Sequence, residues 1–133
     1  MLKIAIVDDD RIIRRWLTHS VPWEEAGCEL SGAASDGEQG LQLIEKARPD
    51  IVISDIKMPF MDGVQMAKLA KHKYPDTEFI LLTGFDDTQY IKKAADIKVS
   101  DYILKPVDKE TLLEKVRKVS VKLKQGITSN YMR

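Results

Sequence analysis

Residues 50–55 read DIVISD, three uninterrupted β-branched residues closed at both ends by an acid. A strand with one wet face would alternate apolar and polar residues. Ile51, Val52 and Ile53 do not, so this run belongs to a strand covered on both faces, as in a parallel sheet between helices. The stretches LKIAIV (2–7) and EFILLT (78–83) have the same character, and DYILK (101–105) is a further apolar run. CELSGAA (28–34) is more polar and carries a glycine, which predicts an edge strand.

The segments between these runs have helical spacing. Ile12, Ile13, Trp16 and Leu17 make one apolar face; Leu41, Ile44 and Ala47 a second; Val64, Ala67, Ala70 and Tyr74 a third. Ile91, Ala94 and Ala95 give a short fourth, and Leu112, Leu113, Val116, Val119 and Leu123 a longer fifth. Five βα units with short connections predict an α/β, doubly wound (βα)5 domain of three layers, because parallel strands require crossovers that place helices on both faces. From about residue 125 the periodicity is lost, so residues 1–124 are predicted to form the domain and 125–133 a frayed tail or the start of a linker.

Composition narrows the function classes. Lysine plus arginine equals aspartate plus glutamate at 21 each, so there is no net field for nucleic acid or an anionic membrane. Cys28 is the single cysteine, which excludes an internal disulfide and a thiolate metal cluster and makes the reducing cytoplasm the natural setting. No apolar run approaches the roughly 18–20 residues of a membrane span, and no signal-peptide pattern opens the chain.

In an open α/β sheet, function collects at the carboxyl ends of the strands. Those ends carry Asp8, Asp9 and Asp10; Ser54 and Asp55; Thr83 and Gly84; and Lys105 with Pro106. Two carboxylates about 4 Å apart repel by roughly 4 kcal/mol at an effective dielectric near 20, so such a cluster calls for a cation. Acids arriving from separate strands form the hard-oxygen site that Mg²⁺ prefers. Asp55, held on a rigid strand end, is placed as a nucleophile; Lys105 offers a point charge and Thr83 a hydroxyl. Together these suit phosphoryl transfer, which depends on positioning and charge neutralisation. Asp10, just before Ile12 and Ile13, reads instead as a helix N-cap.

IVDDDR (6–11), IVISDIKMPFMDG (51–63), LLTGF (81–85) and DYILKP (101–106) occur in an order and spacing that resemble the response-regulator receiver domain of two-component signalling. The resemblance covers residues 2 to about 124. It implies a flavodoxin-like sheet of order 2-1-3-4-5, with Asp55 as phosphoacceptor for a sensor histidine kinase. It makes Asp9 a direct ligand of Mg²⁺, or of Mn²⁺, with Asp55, with the backbone carbonyl of Lys57 and with Asp8 acting through water. Lys105 becomes the phosphate-binding lysine, and Thr83 and Tyr102 the switch pair. A homodimer through the fourth helix, fifth strand and fifth helix is implied, as is a cis peptide before Pro106. VPWEEAGCEL (21–30), ISDIKMP (53–59) and LTGFDDTQYIKKA (82–94) are similar to receivers that precede an AraC-type helix-turn-helix region, so DNA contact would belong to an output domain outside this chain.

Three positions depart from the pattern or vary within it. Lys98 stands where many members carry glycine, and a left-handed turn there would cost lysine about 1 kcal/mol. Lys57 and Phe85 occupy positions thought to tune phosphate lifetime. Trp23 and Trp16 are expected to pack against the core, His19 and His72 to be solvated, and Lys115, Arg117, Lys118, Lys122 and Lys124 to form a wet face. A phosphatase on a similar sheet would want an acid where Lys57 stands, and a mononucleotide site would be repelled by Asp8, Asp9 and Asp10. A phosphorylation-independent interaction domain fits the same fold.

Overall fold

The computed structural model describes residues 1–94 and 97–132, with side chains for 1–94 and 97–126. Five strands, β1 (Leu2–Val7), β2 (Cys28–Ala34), β3 (Ile51–Asp55), β4 (Glu78–Thr83) and β5 (Asp101–Leu104), form one parallel sheet of order β2-β1-β3-β4-β5. The helices are α1 (Arg11–His19), α2 (Gly37–Ala47), α3 (Gly63–Lys73), α4 (Thr88–Lys93) and α5 (Lys109–Met132), with a short 3₁₀ turn at Trp23–Ala26. The strand order and the edge position of β2 agree with the sequence reading.

Strand periodicity divides the core. Ile4, Ile6, Ile51, Ile53, Ile80 and Leu82 point to one face, where Leu17 of α1 and Leu112, Leu113 and Val116 of α5 cover them. Ala5, Val7, Val52 and Phe79 point the other way, beneath Ile44 of α2 and Met66, Ala67 and Ala70 of α3. Leu81 and Ile56 meet Val64 and Ala94 in a third cluster. Each central strand is therefore buried on both sides, as its unbroken apolar run requires. Trp23 is buried and donates its indole N–H to the Leu17 carbonyl at 2.9 Å, while Trp16 is half-buried against the α1–α5 face. His19 and His72 are exposed.

Side-chain caps start α1, α2 and α3. Asp10 accepts from the Ile12 and Ile13 amides at 2.8 and 3.2 Å, Asp36 from Gln39, and Asp62 forms a reciprocal capping box with Gln65.

The structure corrects two expectations. Ile12 is 80% exposed rather than part of the covered face of α1. It lies five residues from Leu17, about 140° around the helix, whereas Ile13 lies four residues away and about 40° round. Lys98 needs no left-handed turn: among the described residues other than glycine, positive φ belongs to Arg48 and Phe60. The backbone of α5 runs as helix to Met132. Ala95, included in the fourth apolar face, lies outside the described residues. The Lys105–Pro106 peptide is cis.

Candidate functional site

β1 and β3 are adjacent and in register from Ile4 with Ile51 to Val7 with Ser54, so their next residues, Asp8 and Asp55, emerge side by side. One carboxylate oxygen from each of Asp8, Asp9 and Asp55 lies within 4.8 Å of the others. Asp8 and Asp55 are buried; Asp9 is exposed at the rim. One oxygen of Asp8 accepts the Asp10 amide at 2.9 Å, while its other oxygen is buried without a hydrogen-bond partner. Asp55 Oδ1 accepts from the Ile56 amide at 3.0 Å and from Lys105 Nζ at 2.6 Å.

The backbone beneath Asp55 is locked. Gly63 opens α3, donates its N–H to the Ile56 carbonyl at 2.7 Å, and sits so close that a Cβ would lie 2.2 Å from the Asp55 carbonyl oxygen. Glycine is required there for helix and strand to meet. On the far side, the Lys105 amide donates to the Thr83 carbonyl at 2.7 Å, which ties the ends of β4 and β5 beside the carboxylates. Thr83 is buried. Tyr102 is half-buried against the cluster of Ile56, Val64, Leu81 and Ala94 and stands in register with Leu81.

The electrostatics follow from burial. Desolvation pushes the Asp8 carboxyl up to about 6, with the charges of Asp55 and Asp9 adding to it and the Asp10 amide and Lys105 opposing it. Burial likewise raises Asp55, against the hydrogen bond and charge of Lys105. For Lys105 burial acts downward, but its hydrogen bond to Asp55 and the charges of Asp55, Asp8 and Asp87 carry it above the ordinary lysine range. Three acids thus face one ammonium. An orphaned buried carboxylate oxygen beside two further carboxylates fits Mg²⁺, whose hard charge would supply the missing compensation.

The predicted site residues Asp8, Asp9, Asp55, Thr83 and Lys105 thus gather at one sheet edge. Lys57 follows Asp55 by two residues on the exposed loop, and its side chain pairs with Asp86 at 3.2 Å. Sequence reasoning missed the packing role of Gly63 and the Lys57–Asp86 pair. The Asp62–Gly63 step at a helix start was the available signal for the first. Charges 29 residues apart on two loops offer none for the second.

The family model of the response regulator receiver domain matches residues 4–117. YesN, a transcriptional regulatory protein of Bacillus subtilis, is 35% identical over 125 residues, covering 94% of this chain and 34% of YesN. The response regulatory protein SERP2406 of Staphylococcus epidermidis is 41% identical over 121 residues, 91% of this chain and 47% of that protein. The chain therefore spans less than half the length of these relatives. Among solved structures, the REC domain of AraT, a response regulator from Geobacillus stearothermophilus, superposes with a TM-score of 0.87 at 40% identity, covering 94% of this chain and 97% of that one. The two component transcriptional regulator AraC from Clostridium phytofermentans gives 0.86 at 28% identity, with the same coverage.

Proposed function

This chain belongs to the response regulator receiver domains, the signalling domains of two-component systems, and from that membership we propose that Asp55 is its phosphoacceptor, modified by a sensor histidine kinase. The observation that carries the proposal is the contact of Lys105 Nζ with Asp55 Oδ1 at 2.6 Å, beside two further carboxylates. A carboxylate held by a rigid strand end and freed of solvent is a competent oxygen nucleophile.

In the transfer, an Asp55 carboxylate oxygen attacks the phosphorus of a phosphohistidine as the P–N bond breaks. The electron pair leaves with the imidazole nitrogen, which takes up a proton. Lys105 exchanges its hold on Asp55 for the incoming phosphoryl oxygens, and Thr83 donates its hydroxyl to one of them. Asp9, Asp55 and the Lys57 backbone carbonyl would hold Mg²⁺, or Mn²⁺ in its place, with Asp8 acting through water. Bound there, the metal neutralises charge on the transferring group. The domain undergoes one modification per event rather than turning over a substrate.

The consequence is a population shift. Thr83 on β4 and Tyr102 on β5 are the proposed switch pair, communicating with a homodimer surface on α4, β5 and α5. Residues 1–124 are the receiver in this reading and 125–133 lead to an output domain of AraC type, through which DNA is bound in the cytoplasm. The chain's partial coverage of its longer relatives supports that arrangement.

Beryllofluoride with Mg²⁺ mimics an aspartyl phosphate and tests the reading by amide NMR. Thr83, Gly84 and Tyr102 should shift in the wild type and stay in place in Asp55→Asn. Equal shifts in both proteins would contradict it.

A further inference from the structure

The β4–α4 loop contains a buried acid that phosphoryl acceptance at Asp55 does not use. Asp87 stands at the N-terminal boundary of α4, yet its side chain makes no capping hydrogen bond to that helix. It turns back instead: Oδ2 accepts the Gly84 N–H at 2.7 Å, while the Asp87 N–H donates to the Gly84 carbonyl at 3.2 Å. Residues 84–87 are thereby closed into a small ring directly after Thr83. Asp87 is 2% exposed, and its Oδ1 is buried without a hydrogen-bond partner. Its neighbour Asp86 takes the opposite course, exposed and paired with Lys57.

Two successive aspartates thus differ in kind. A buried carboxylate with one unsatisfied oxygen gives up hydration that only other interactions can offset. Two such interactions act on Asp87: the Gly84 amide, and the field of Lys105, which it shares with Asp55 and Asp8. Both are elements that favour an anion; Lys105 contacts Asp55 directly, and Gly84 follows Thr83, whose carbonyl accepts the Lys105 amide. Unlike Asp8, Asp9 and Asp55, Asp87 is not part of the carboxylate cluster that suits a metal.

We propose that Asp87 is a positioning residue, an internal anion that holds the β4–α4 loop in its unmodified arrangement and is displaced when Asp55 carries a phosphoryl group. The inference rests on Asp55 as phosphoacceptor. A phosphoryl group brings added negative charge into the field of Lys105, and its oxygens compete with Asp87 for that ammonium. Contacts that exist in one state alone are what shift a two-state equilibrium. Releasing Asp87 frees Gly84 and the start of α4 to move together, next to Thr83.

Amide NMR of the 15N-labelled chain, with beryllofluoride titrated in the presence of Mg²⁺, tests this in Asp87→Ala and Asp87→Asn. In Asp87→Ala the Gly84 amide should move before any beryllofluoride is added, and the mimic should bind about tenfold tighter, equivalent to about 1.4 kcal/mol. Asp87→Asn, which keeps the shape and removes the charge, should fall between Asp87→Ala and the wild type and serves where the alanine variant does not fold. A purely structural role would instead weaken binding as the loop loosens. Unchanged or weaker binding in a folded variant, with normal binding in the wild type, overturns the role of Asp87 alone. Absence of binding in the wild type overturns the phosphoacceptor reading and the role of Asp87 with it.

Discussion

Replacing Asp8 with asparagine should make the metal-free protein more stable at neutral pH, although it removes a buried group of the site. Asp8 titrates near 6 in the fold against an ordinary 3.8. At about 1.4 kcal/mol per pH unit, that interval corresponds to about 3 kcal/mol of destabilisation when the group is ionised. The sign follows from proton counting. Between 3.8 and 6 the folded state binds more protons at Asp8 than the unfolded chain, so this group's contribution to stability rises as pH falls through 6 and levels off below 3.8. Asparagine keeps an oxygen for the Asp10 amide and never ionises, and its NH₂ group faces the remaining carboxylates. A less favourable fit of that group reduces the gain, leaving Asp8→Asn about 1–3 kcal/mol more stable than wild type at pH 7.5. The advantage should shrink by about 1.4 kcal/mol at pH 5, where the wild-type group is largely protonated. Urea melts of both proteins without divalent metal at the two pH values measure it. A variant less stable than wild type at pH 7.5, or an advantage independent of pH, would refute the reasoning. Saturating Mg²⁺ should remove most or all of this advantage, since a ligand at about 100 times its Kd adds about 2.7 kcal/mol to the protein that binds it.

Gly63→Ala should destabilise the domain by about 2–4 kcal/mol, because its Cβ would stand 2.2 Å from the Asp55 carbonyl oxygen and α3 must retreat from β3. Urea denaturation would show it, and a change below about 0.5 kcal/mol would mean that α3 is not seated as described. Lys105→Met leaves Asp55 buried without its ammonium; a loss of about 1–3 kcal/mol at pH 7.5 is expected after allowing for the lysine's partial exposure. The loss should lessen as pH falls and Asp55 takes up a proton, so equal losses at pH 7.5 and pH 5 would contradict the coupling.

The fold was legible because each central strand announces two buried faces and each helix a single stripe. Asp55, Asp8 and Asp9 were legible for a related reason: strand ends in a parallel sheet converge, so acids at those ends meet whatever their separation in the chain. Ile12 was not, since apolar spacing marks a stripe but not where its covered width ends, and α1 is covered around Ile13, Trp16 and Leu17. Asp86 and Asp87 are the same residue side by side, and nothing in their order tells which faces inward. That depends on the turn at Gly84, a property of backbone conformation rather than of composition. Gly63 carried a weak signal as a glycine opening a helix, but its approach to Asp55 exists only once β3 and α3 are packed.

The most direct test of phosphoryl acceptance is the intact mass of the protein after incubation with acetyl phosphate and Mg²⁺, followed by peptide mapping of the labelled species. One added phosphoryl group on Asp55, lost in Asp55→Asn and on chelation of the metal, is the predicted result. Labelling that persists unchanged in Asp55→Asn, or that proceeds equally well without a divalent cation, would contradict it.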